Sequence, residues 1–190
     1  MQVLTAKKEW SDSIVTPLVM EQLKPFAEAL KKHSSTTREQ DDKKDTRVFA
    51  ALFLGTKGCG RTTTAAALGK MARMEVYRVA LSQVVSKYIG ETEKNLAKIF
   101  DAAANKNWIL FFDEADALFG KRTDVKDAHD KYANQEISYL LQRIENFPGI
   151  VILSANSKTN IDPKFIRRLR YVIDFQFRKR NDLNYLVRVS

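Results

Sequence analysis

The 190-residue sequence is poor in the residues that build disulfides and zinc sites, with one cysteine, Cys59, and two histidines, His33 and His129. A single cysteine excludes an internal disulfide and suits a reducing compartment, so we expect a cytoplasmic protein. Two histidines without a cysteine cluster argue against a structural zinc site. Every apolar run is too short to span a bilayer, and residues 1–4 lead straight into charge rather than into a signal peptide. We therefore expect no membrane partner.

Acidic residues are also scarce relative to basic ones, with 23 Asp and Glu against 32 Lys and Arg and a formal net charge of +9. Residues 158–190 hold nine basic and three acidic residues, and so contribute six of the nine excess charges. Such a charge can indicate nucleic-acid binding. No helix-turn-helix, zinc-finger or aromatic stacking pattern accompanies it, so a nucleic-acid-associated protein is a less favoured interpretation.

Three of the seven glycines fall within one octamer, GTKGCGRT at residues 55–62. A phosphate-binding loop has Gly, four residues, Gly, Lys and then Ser or Thr, and the octamer differs from this pattern only in having Arg61 for the lysine. An apolar run precedes the octamer and a helical pattern follows it, as the motif requires. Glycine permits positive φ, so loop N–H groups can turn toward phosphate oxygens beside a helix N-terminus. An ordinary glycine-rich turn is the alternative. The predicted nucleotide-binding residues are Gly55, Thr56, Lys57, Gly58, Cys59, Gly60, Arg61, Thr62 and Thr63, with the Thr62 hydroxyl on Mg²⁺.

Two carboxylates, Asp113 and Glu114, end the apolar run at 108–112. In an open α/β sheet, ligands bind at the carboxyl ends of the strands. We therefore predict that Asp113 holds Mg²⁺, directly or through water, and that Glu114 is the general base for an attacking water. The alternative is a strand end followed by an acidic helix cap, and the preceding phosphate-loop pattern makes it less favoured.

Apolar runs and helical patterns alternate along most of the chain, which predicts an α/β fold with a parallel five-stranded sheet. Ahead of this domain, residues 1–47 are predicted to form a helix that begins near Pro17, is kinked at Pro25, and leads into a charged linker from Lys31 onward. The predicted strands are 48–54, 75–81, 108–113, 149–154 and 171–176, and the predicted helices are 61–74, 91–105, 133–146 and a short one at 162–168.

Residues 48–177 resemble the nucleotide-binding domain of AAA+ ATPases of the AAA type, which is a three-layer αβα P-loop NTPase fold. Four further segments carry this resemblance. KYIGETEKNL at 87–96 resembles the first pore loop and its following helix, Asn156 falls at the first sensor, and DPKFIRRLR at 162–170 resembles the stretch of the arginine fingers. The segment 118–132 resembles a subgroup from phage-tail-like extracellular contractile injection systems.

The resemblance implies a role for each matching residue. Tyr88 and Ile89 would grip a polypeptide in the central channel of a ring, and Asn156 would orient the lytic water. Arg167 and Arg168 match the arginine fingers best, and would reach the γ-phosphate held by a neighbouring subunit; Arg170 is a further candidate. Taken singly, these segments have simpler interpretations: an aromatic loop cap, a turn residue and a solvated basic face. Their correct order along one chain favours the resemblance.

The sequence departs from the family pattern at Arg61 and at its end. Arginine keeps the positive charge of lysine but is longer, planar and forked, so we expect a displaced γ-phosphate and slow hydrolysis. A misplacement of about 1 Å can reduce a rate roughly 100-fold. Lys57 is a candidate substitute for the lost ammonium. The family's helical lid normally follows the last strand, whereas only 178–190 follow here, so we expect a truncated or missing lid and reduced nucleotide affinity.

The favoured interpretation is an ATP-binding domain that uses Mg²⁺, assembles as a homo-hexameric ring and hydrolyses ATP slowly. It would remodel or assemble protein complexes, such as a contractile injection particle. The alternative from another functional class is a nucleotide-gated or nucleotide-free assembly module of the same fold. Arg61 favours that alternative, whereas Glu114, Asn156 and Arg167 argue against it.

Overall fold

The structure is a computed structural model that describes residues 1–6, 15–35, 49–86, 88–119, 128–156, 161, 166–167 and 169–175, with only the backbone described at 34–35, 119 and 128–134. The strands in these residues are β1 (Gln2–Leu4), β2 (Ala50–Leu54), β3 (Glu75–Ala80), β4 (Trp108–Asp113), β5 (Ile150–Ala155) and β6 (Tyr171–Asp174). The helices are α1 (Pro17–Ser35), α2 (Arg61–Ala72), α3 (Glu91–Ala103), α4 (Asp116–Phe119) and α5 (Ala128–Glu145), with a 3-10 turn at Leu81–Gln83.

The strands form one sheet in the order β1-β3-β4-β5-β2-β6. The five strands from β2 to β6 are parallel, which confirms the predicted parallel sheet. The short strand β1 pairs antiparallel with β3 at the sheet edge, and it was not predicted. Because β2 lies between β5 and β6 and β4 follows β5, the segments that leave the carboxyl ends of β2, β4 and β5 share one edge of the sheet.

Helices cover both faces of the sheet, as expected for parallel strands that are buried on both sides. In β4, Ile109 and Phe111 pack in the apolar cluster with α1 and α2. Leu110 and Phe112 point the other way and pack with α3 and α5. The arrangement is therefore a three-layer αβα fold. Among the described residues, no helix combines the length and apolar character that crossing a membrane requires.

Helix α1 belongs to the main hydrophobic core. Its apolar stripe of Val19, Leu23, Phe26 and Leu30 is buried against β2, β6 and α2. The helix continues through Pro25 and ends at Ser35, so it takes in the first part of the segment predicted as a linker. Residues 31–33 of this extension are exposed, and the His33 ring stacks on the Phe49 ring with centroids 5.2 Å apart.

Other boundaries differ by a few residues or lie outside the described part. Helix α5 begins at Ala128, five residues before its predicted start. The predicted short helix at 162–168 is described only at 166 and 167, and residues 36–47 of the predicted linker lie outside the described residues. The predicted lid segment 178–190 lies wholly outside the described residues, and so does most of 118–132.

Candidate nucleotide-binding site

The predicted phosphate loop joins the carboxyl end of β2 to the amino end of α2. Gly58 and Gly60 have φ angles of 87° and 102°, which residues with a Cβ atom rarely adopt. Gly55 is required for a different reason, because a Cβ atom there would lie 2.6 Å from Cys59 Sγ and 2.9 Å from Phe175 Cβ. Gly60 is the N-cap of α2 and has no side chain that could cap it. The first N–H groups of α2 therefore remain available to an anion.

The loop side chains differ in exposure. Thr56, Lys57 and Thr63 are exposed, and Cys59, Arg61 and Thr62 are half-buried. The exposure of Lys57 leaves its suggested role as a substitute ammonium a prediction. Thr62 and Thr63 lie in the first turn of α2, the position from which a hydroxyl group reaches a phosphate-bound Mg²⁺ in a phosphate loop.

The guanidinium group of Arg61 contacts the end of the neighbouring strand β5. Its Nη1 donates a hydrogen bond to the Ala155 carbonyl at 2.5 Å, and its Nη2 donates to Asn156 Oδ1 at 3.1 Å. The same Ala155 carbonyl accepts the Gly55 N–H at 3.1 Å. Arg61 therefore connects the phosphate loop to the predicted sensor Asn156, so two predicted site residues are in direct contact.

The two predicted catalytic carboxylates are each held by a side chain from the region of β3. Arg78 donates two hydrogen bonds to Asp113 Oδ2, from Nε at 2.8 Å and from Nη2 at 2.6 Å. Glu114 is exposed, and its Oε2 accepts a short hydrogen bond from the Ser82 hydroxyl. Glu114 also has a φ angle of 59°. Non-glycine residues in this left-handed region occur mainly where surrounding structure holds them, often at functional sites.

Asn156 follows β5 and is exposed, with its backbone N–H bonded to Asp116 Oδ2 at 2.7 Å. The backbone at the end of β4 is joined to β5 as well, because the Ala115 N–H donates to the Ser154 carbonyl at 2.9 Å. Asp116 is the first residue of α4. One backbone hydrogen bond and one bond to the Asp116 side chain thus join the segments that follow β4 and β5.

The oxygen groups at this edge fit Mg²⁺. Thr62 and Asp113 supply a hydroxyl and a carboxylate, which are the hard oxygen ligands that this ion prefers. Among the described residues no three His, Cys, Asp or Glu side chains cluster as an all-protein cage, and Mg²⁺ bound to a nucleotide needs none because phosphate oxygens and water complete its shell. Ser154 Oγ and Asp116 Oδ1 are buried at the same edge without a hydrogen-bond partner in the described part, as expected where a polar ligand or water binds.

The predicted pore-loop residues lie on the surface, in the turn that precedes α3. Tyr88 and Ile89 are 72% and 75% exposed. Gly90, with a φ angle of 78°, follows them directly and is the N-cap of α3. The turn is held by the Ser86 hydroxyl, which donates to Glu91 Oε2 at 2.5 Å and accepts the Tyr88 N–H at 3.2 Å. Two large apolar side chains are thus presented to solvent by a hydrogen-bonded turn.

The predicted arginine fingers are described only in part. Arg167 is exposed in the turn after Ile166, and Arg168 lies outside the described residues. Arg170 is exposed, with its guanidinium carbon 5.4 Å from the centre of the Tyr171 ring. The exposure of Arg167 is compatible with a contact to a second subunit, and both finger assignments stay predictions.

Sequence reasoning missed three residues of the site: Arg78, Ser82 and Asp116. Arg78 had a visible signal, because it places a charge within the otherwise mostly apolar stretch that forms β3. The spacing of Ser82 and Asp116 carried no signal, since their partners Glu114 and Asn156 lie 32 and 40 residues away along the chain.

Comparison with known protein families finds one match over most of the chain. Residues 51–178 match the family described as "ATPase family associated with various cellular activities (AAA)". The solved AAA domain of FIGL-1 in complex with ADP has a similar fold, with a TM-score of 0.65 over 92% of this chain and 57% of that one. At 17% sequence identity this likeness concerns the fold alone.

Curated relatives match a similar part of the chain. Cell division protein C of Sulfolobus acidocaldarius is 34% identical over 153 residues, covering 73% of this chain and 41% of that protein. The proteasome-activating nucleotidase of Pyrococcus abyssi is 32% identical over 125 residues, covering 63% of this chain and 32% of that protein. The chain thus spans less than half the length of these relatives.

Proposed function

The chain belongs to the AAA ATPase family, and from this premise we propose that it binds ATP with Mg²⁺ at the carboxyl edge of its sheet and hydrolyses it slowly. One observation carries the proposal. The phosphate loop, the Asp113–Glu114 pair and Asn156 leave β2, β4 and β5, which are adjacent in the sheet in the order β4-β5-β2. A triphosphate on the loop would therefore extend toward both carboxylates and the amide.

In the proposed reaction, water attacks the γ-phosphorus of ATP, the bond from that phosphorus to the β,γ-bridging oxygen breaks, and ADP leaves with that oxygen while inorganic phosphate forms. The loop N–H groups and the N-terminus of α2 bind the phosphates. Thr62 and Asp113 would hold Mg²⁺, which when bound neutralises charge on the phosphate oxygens. Glu114 would accept the proton of the attacking water, and Asn156 would orient that water. Arg167 and Arg168 would stabilise the developing charge from a neighbouring subunit.

Slow hydrolysis is proposed because Arg61 engages one of the groups that the reaction needs. Its guanidinium donates to Asn156 Oδ1 and the Ala155 carbonyl rather than projecting freely into the loop. A bound γ-phosphate would have to attract the guanidinium away from these acceptors, or leave Asn156 occupied. In the first case breaking these hydrogen bonds costs free energy, and in the second the water-orienting amide stays occupied; both slow the reaction, because small errors in geometry are costly in rate.

Assembly as a ring and action on a protein substrate are general features of the family, and we propose specifically that this chain forms a homo-hexamer. Tyr88 and Ile89 support the protein substrate, because large apolar side chains with this exposure are suited to contact with a polypeptide rather than with solvent. The charge distribution and the lack of a recognition motif make nucleic acid an unfavoured partner. We propose a cytoplasmic location on the evidence of the cysteine content alone.

Two finer assignments rest only on the sequence. Residues 118–132 support a role in a contractile injection particle by resemblance, and most of that segment lies outside the described residues. The division into a leading segment 1–47, a nucleotide-binding domain 48–177 and the start of a lid at 178–190 is likewise a proposal. Helix α1 packs on the same core as the sheet, so the first boundary does not separate two cores.

The test is ATP turnover by the native chain and by Arg61→Lys, with Glu114→Gln as the blank. We expect low but measurable turnover for the native chain and none above background for Glu114→Gln. The ATPase proposal would give way to a second candidate if the native chain binds ATP but hydrolyses it no faster than Glu114→Gln, while Arg61→Lys hydrolyses it faster than Glu114→Gln.

That second candidate is a nucleotide-gated assembly module, and the Arg61–Asn156 contact is the observation that favours it. A chain in which this contact persists with ATP bound would change its assembly with nucleotide but not hydrolyse it. Light scattering with and without ATP distinguishes the two, because the module assembles with ATP and stays assembled, whereas the ATPase disassembles as ATP is consumed.

A further inference from the structure

Arg78 has no role in the proposed mechanism, yet it donates two hydrogen bonds to Asp113, the residue proposed to hold Mg²⁺. Arg78 lies opposite Phe111 in the parallel pairing of β3 with β4, and Asp113 lies opposite Ala80 two residues further on. By strand alternation, Arg78 and Asp113 project on the same face, the one covered by α1 and α2. Phe111 is part of the apolar cluster on that face. The guanidinium therefore reaches Asp113 from the side of the sheet on which the phosphate-loop helix lies.

Both oxygens of the Asp113 carboxylate are engaged in this arrangement. Arg78 donates from Nε and Nη2 to Oδ2, at 2.8 and 2.6 Å. The Glu114 N–H donates to Oδ1 at 3.0 Å. The side chain of Asp113 is 11% exposed and that of Arg78 is 33% exposed. The carboxylate is thus neutralised by one guanidinium in a setting that water screens only weakly.

We propose that Arg78 is a positioning residue that holds the Asp113 carboxylate and sets the Mg²⁺ concentration at which the nucleotide binds tightly. The proposal rests on the nucleotide-binding function proposed above. A divalent cation that approaches Asp113, directly or through its water, meets the positive charge of Arg78 on the same carboxylate. Arg78 must therefore share or release Oδ2, and its charge opposes the cation. The Mg²⁺ concentration needed for tight nucleotide binding is accordingly higher than it would be if Asp113 had no arginine beside it.

The test compares the native chain with Arg78→Gln, Arg78→Lys and the control Lys98→Gln. Lys98 lies on α3 and lines the same surface cavity as Arg78, so its substitution removes one nearby positive charge without removing a hydrogen bond to Asp113. ADP binding is titrated calorimetrically over a range of Mg²⁺ concentrations and again with EDTA. We expect the half-saturating Mg²⁺ concentration to fall about tenfold in Arg78→Gln, which corresponds to roughly 1.4 kcal/mol of removed repulsion. Arg78→Lys and Lys98→Gln should stay within about twofold of native, because both leave a cation beside Asp113.

ADP affinity in EDTA should be the same in all four chains. The Mg²⁺ dependence of ADP binding separates a positioning role from a purely structural one. If Arg78 were purely structural, Arg78→Gln would have a lower thermal stability and an unchanged Mg²⁺ dependence. An unchanged or higher Mg²⁺ requirement in folded Arg78→Gln overturns the proposal. If no chain binds ADP or ATP at any Mg²⁺ concentration, the proposed function itself is wrong, and this outcome is distinct from the first.

A second measurement uses the native chain, in case Arg78→Gln does not fold. The Nε–H resonance of Arg78, assigned by its loss in Arg78→Lys, is followed by NMR. We expect it to shift when Mg²⁺ is added to the ADP complex and to stay in place when ADP is added in EDTA. If Mg²⁺ tightens ADP binding but leaves the position of this resonance unchanged, the proposal is contradicted.

Discussion

Replacing Arg61 by lysine removes the fork that connects the phosphate loop to the end of β5 while keeping the positive charge. The native guanidinium makes hydrogen bonds of 2.5 Å to the Ala155 carbonyl and 3.1 Å to Asn156 Oδ1. A lysine ammonium is a compact point charge on a flexible stem and is not suited to bridging these two acceptors. In Arg61→Lys, Asn156 Oδ1 therefore loses its hydrogen bond from the guanidinium, and the ammonium becomes available to a bound phosphate.

The two effects of this change have opposite signs. Hydrogen bonds from a charged donor contribute roughly 1.5–3 kcal/mol when buried. Asn156 is exposed and Arg61 only half-buried, so we expect a net loss of about 1 kcal/mol in the free energy of unfolding without nucleotide. That loss corresponds to a decrease of about 2–4 °C in Tm for a chain of this size. For ATP hydrolysis we expect kcat/KM to increase about 10- to 100-fold, since each ~1.4 kcal/mol of recovered transition-state stabilisation is worth tenfold.

The assay is steady-state release of phosphate at saturating Mg²⁺, beside a thermal unfolding curve for each chain. Arg61→Gln is the matched control, because it also removes the guanidinium hydrogen bonds but leaves position 61 without a positive charge, and its turnover should not exceed that of the native chain. The reasoning is refuted if Arg61→Lys binds ATP, unfolds at the native temperature and hydrolyses no faster than the native chain. In that case the contact with Asn156 neither stabilises the chain nor restrains catalysis.

Three further substitutions test other parts of the account. Gly55→Ala forces a Cβ atom against Cys59 Sγ and Phe175 Cβ, at 2.6 and 2.9 Å, and should lower the free energy of unfolding by about 1–3 kcal/mol in urea. Phe26→Ala removes a fully buried ring from the contact of α1 with the sheet, and should lower it by about 3–5 kcal/mol in the same assay. Tyr88→Ala removes an exposed ring and should change stability by less than about 0.5 kcal/mol, while it abolishes any stimulation of ATP turnover by an unfolded polypeptide such as casein.

Each of the three substitutions has a contradicting result, and two of them have a control variant. Leu18→Ala on the same helix as Phe26 removes a side chain that is 38% exposed, and should have a much smaller effect than Phe26→Ala; equal effects would mean that α1 does not stabilise the core. Tyr88→Phe should keep the stimulation that Tyr88→Ala loses, and a loss in both would contradict a role for the ring itself. Native stability in Gly55→Ala would show that the loop is not packed as closely as described.

The fold was predictable to a large extent because its strands carry strong local signals. The residues of β2 and β4 are apolar on both faces, and this pattern together with intervening helical stripes is typical of a parallel sheet. Strand β1 was missed because three residues at a sheet edge give no periodicity, and pairing with β3 decides their conformation. The stripe on α1 was visible in the sequence, but what it packs against depends on tertiary structure.

The residue types of the site were predictable, whereas their pairings were not. The loop glycines and the Asp113–Glu114 pair each stand in a motif whose spacing reflects backbone geometry. The contacts of Arg61 with Asn156 and of Arg78 with Asp113 join residues 95 and 35 positions apart. Such contacts depend on the order of strands in the sheet and on side-chain rotamers, and no local pattern in the sequence specifies either.

The central claim is that residues 55–63 and the carboxyl ends of β4 and β5 form one ATP site. The most direct test is calorimetric titration of ATP with Mg²⁺ into Glu114→Gln, in which hydrolysis is prevented. We predict one ATP bound per chain, and loss of that binding when Gly60→Val is added, because a β-branched residue does not tolerate the φ of 102° at this position. Circular dichroism must show both chains folded. A folded Glu114→Gln chain that binds no ATP, or that binds it equally well with Gly60→Val, would contradict the account.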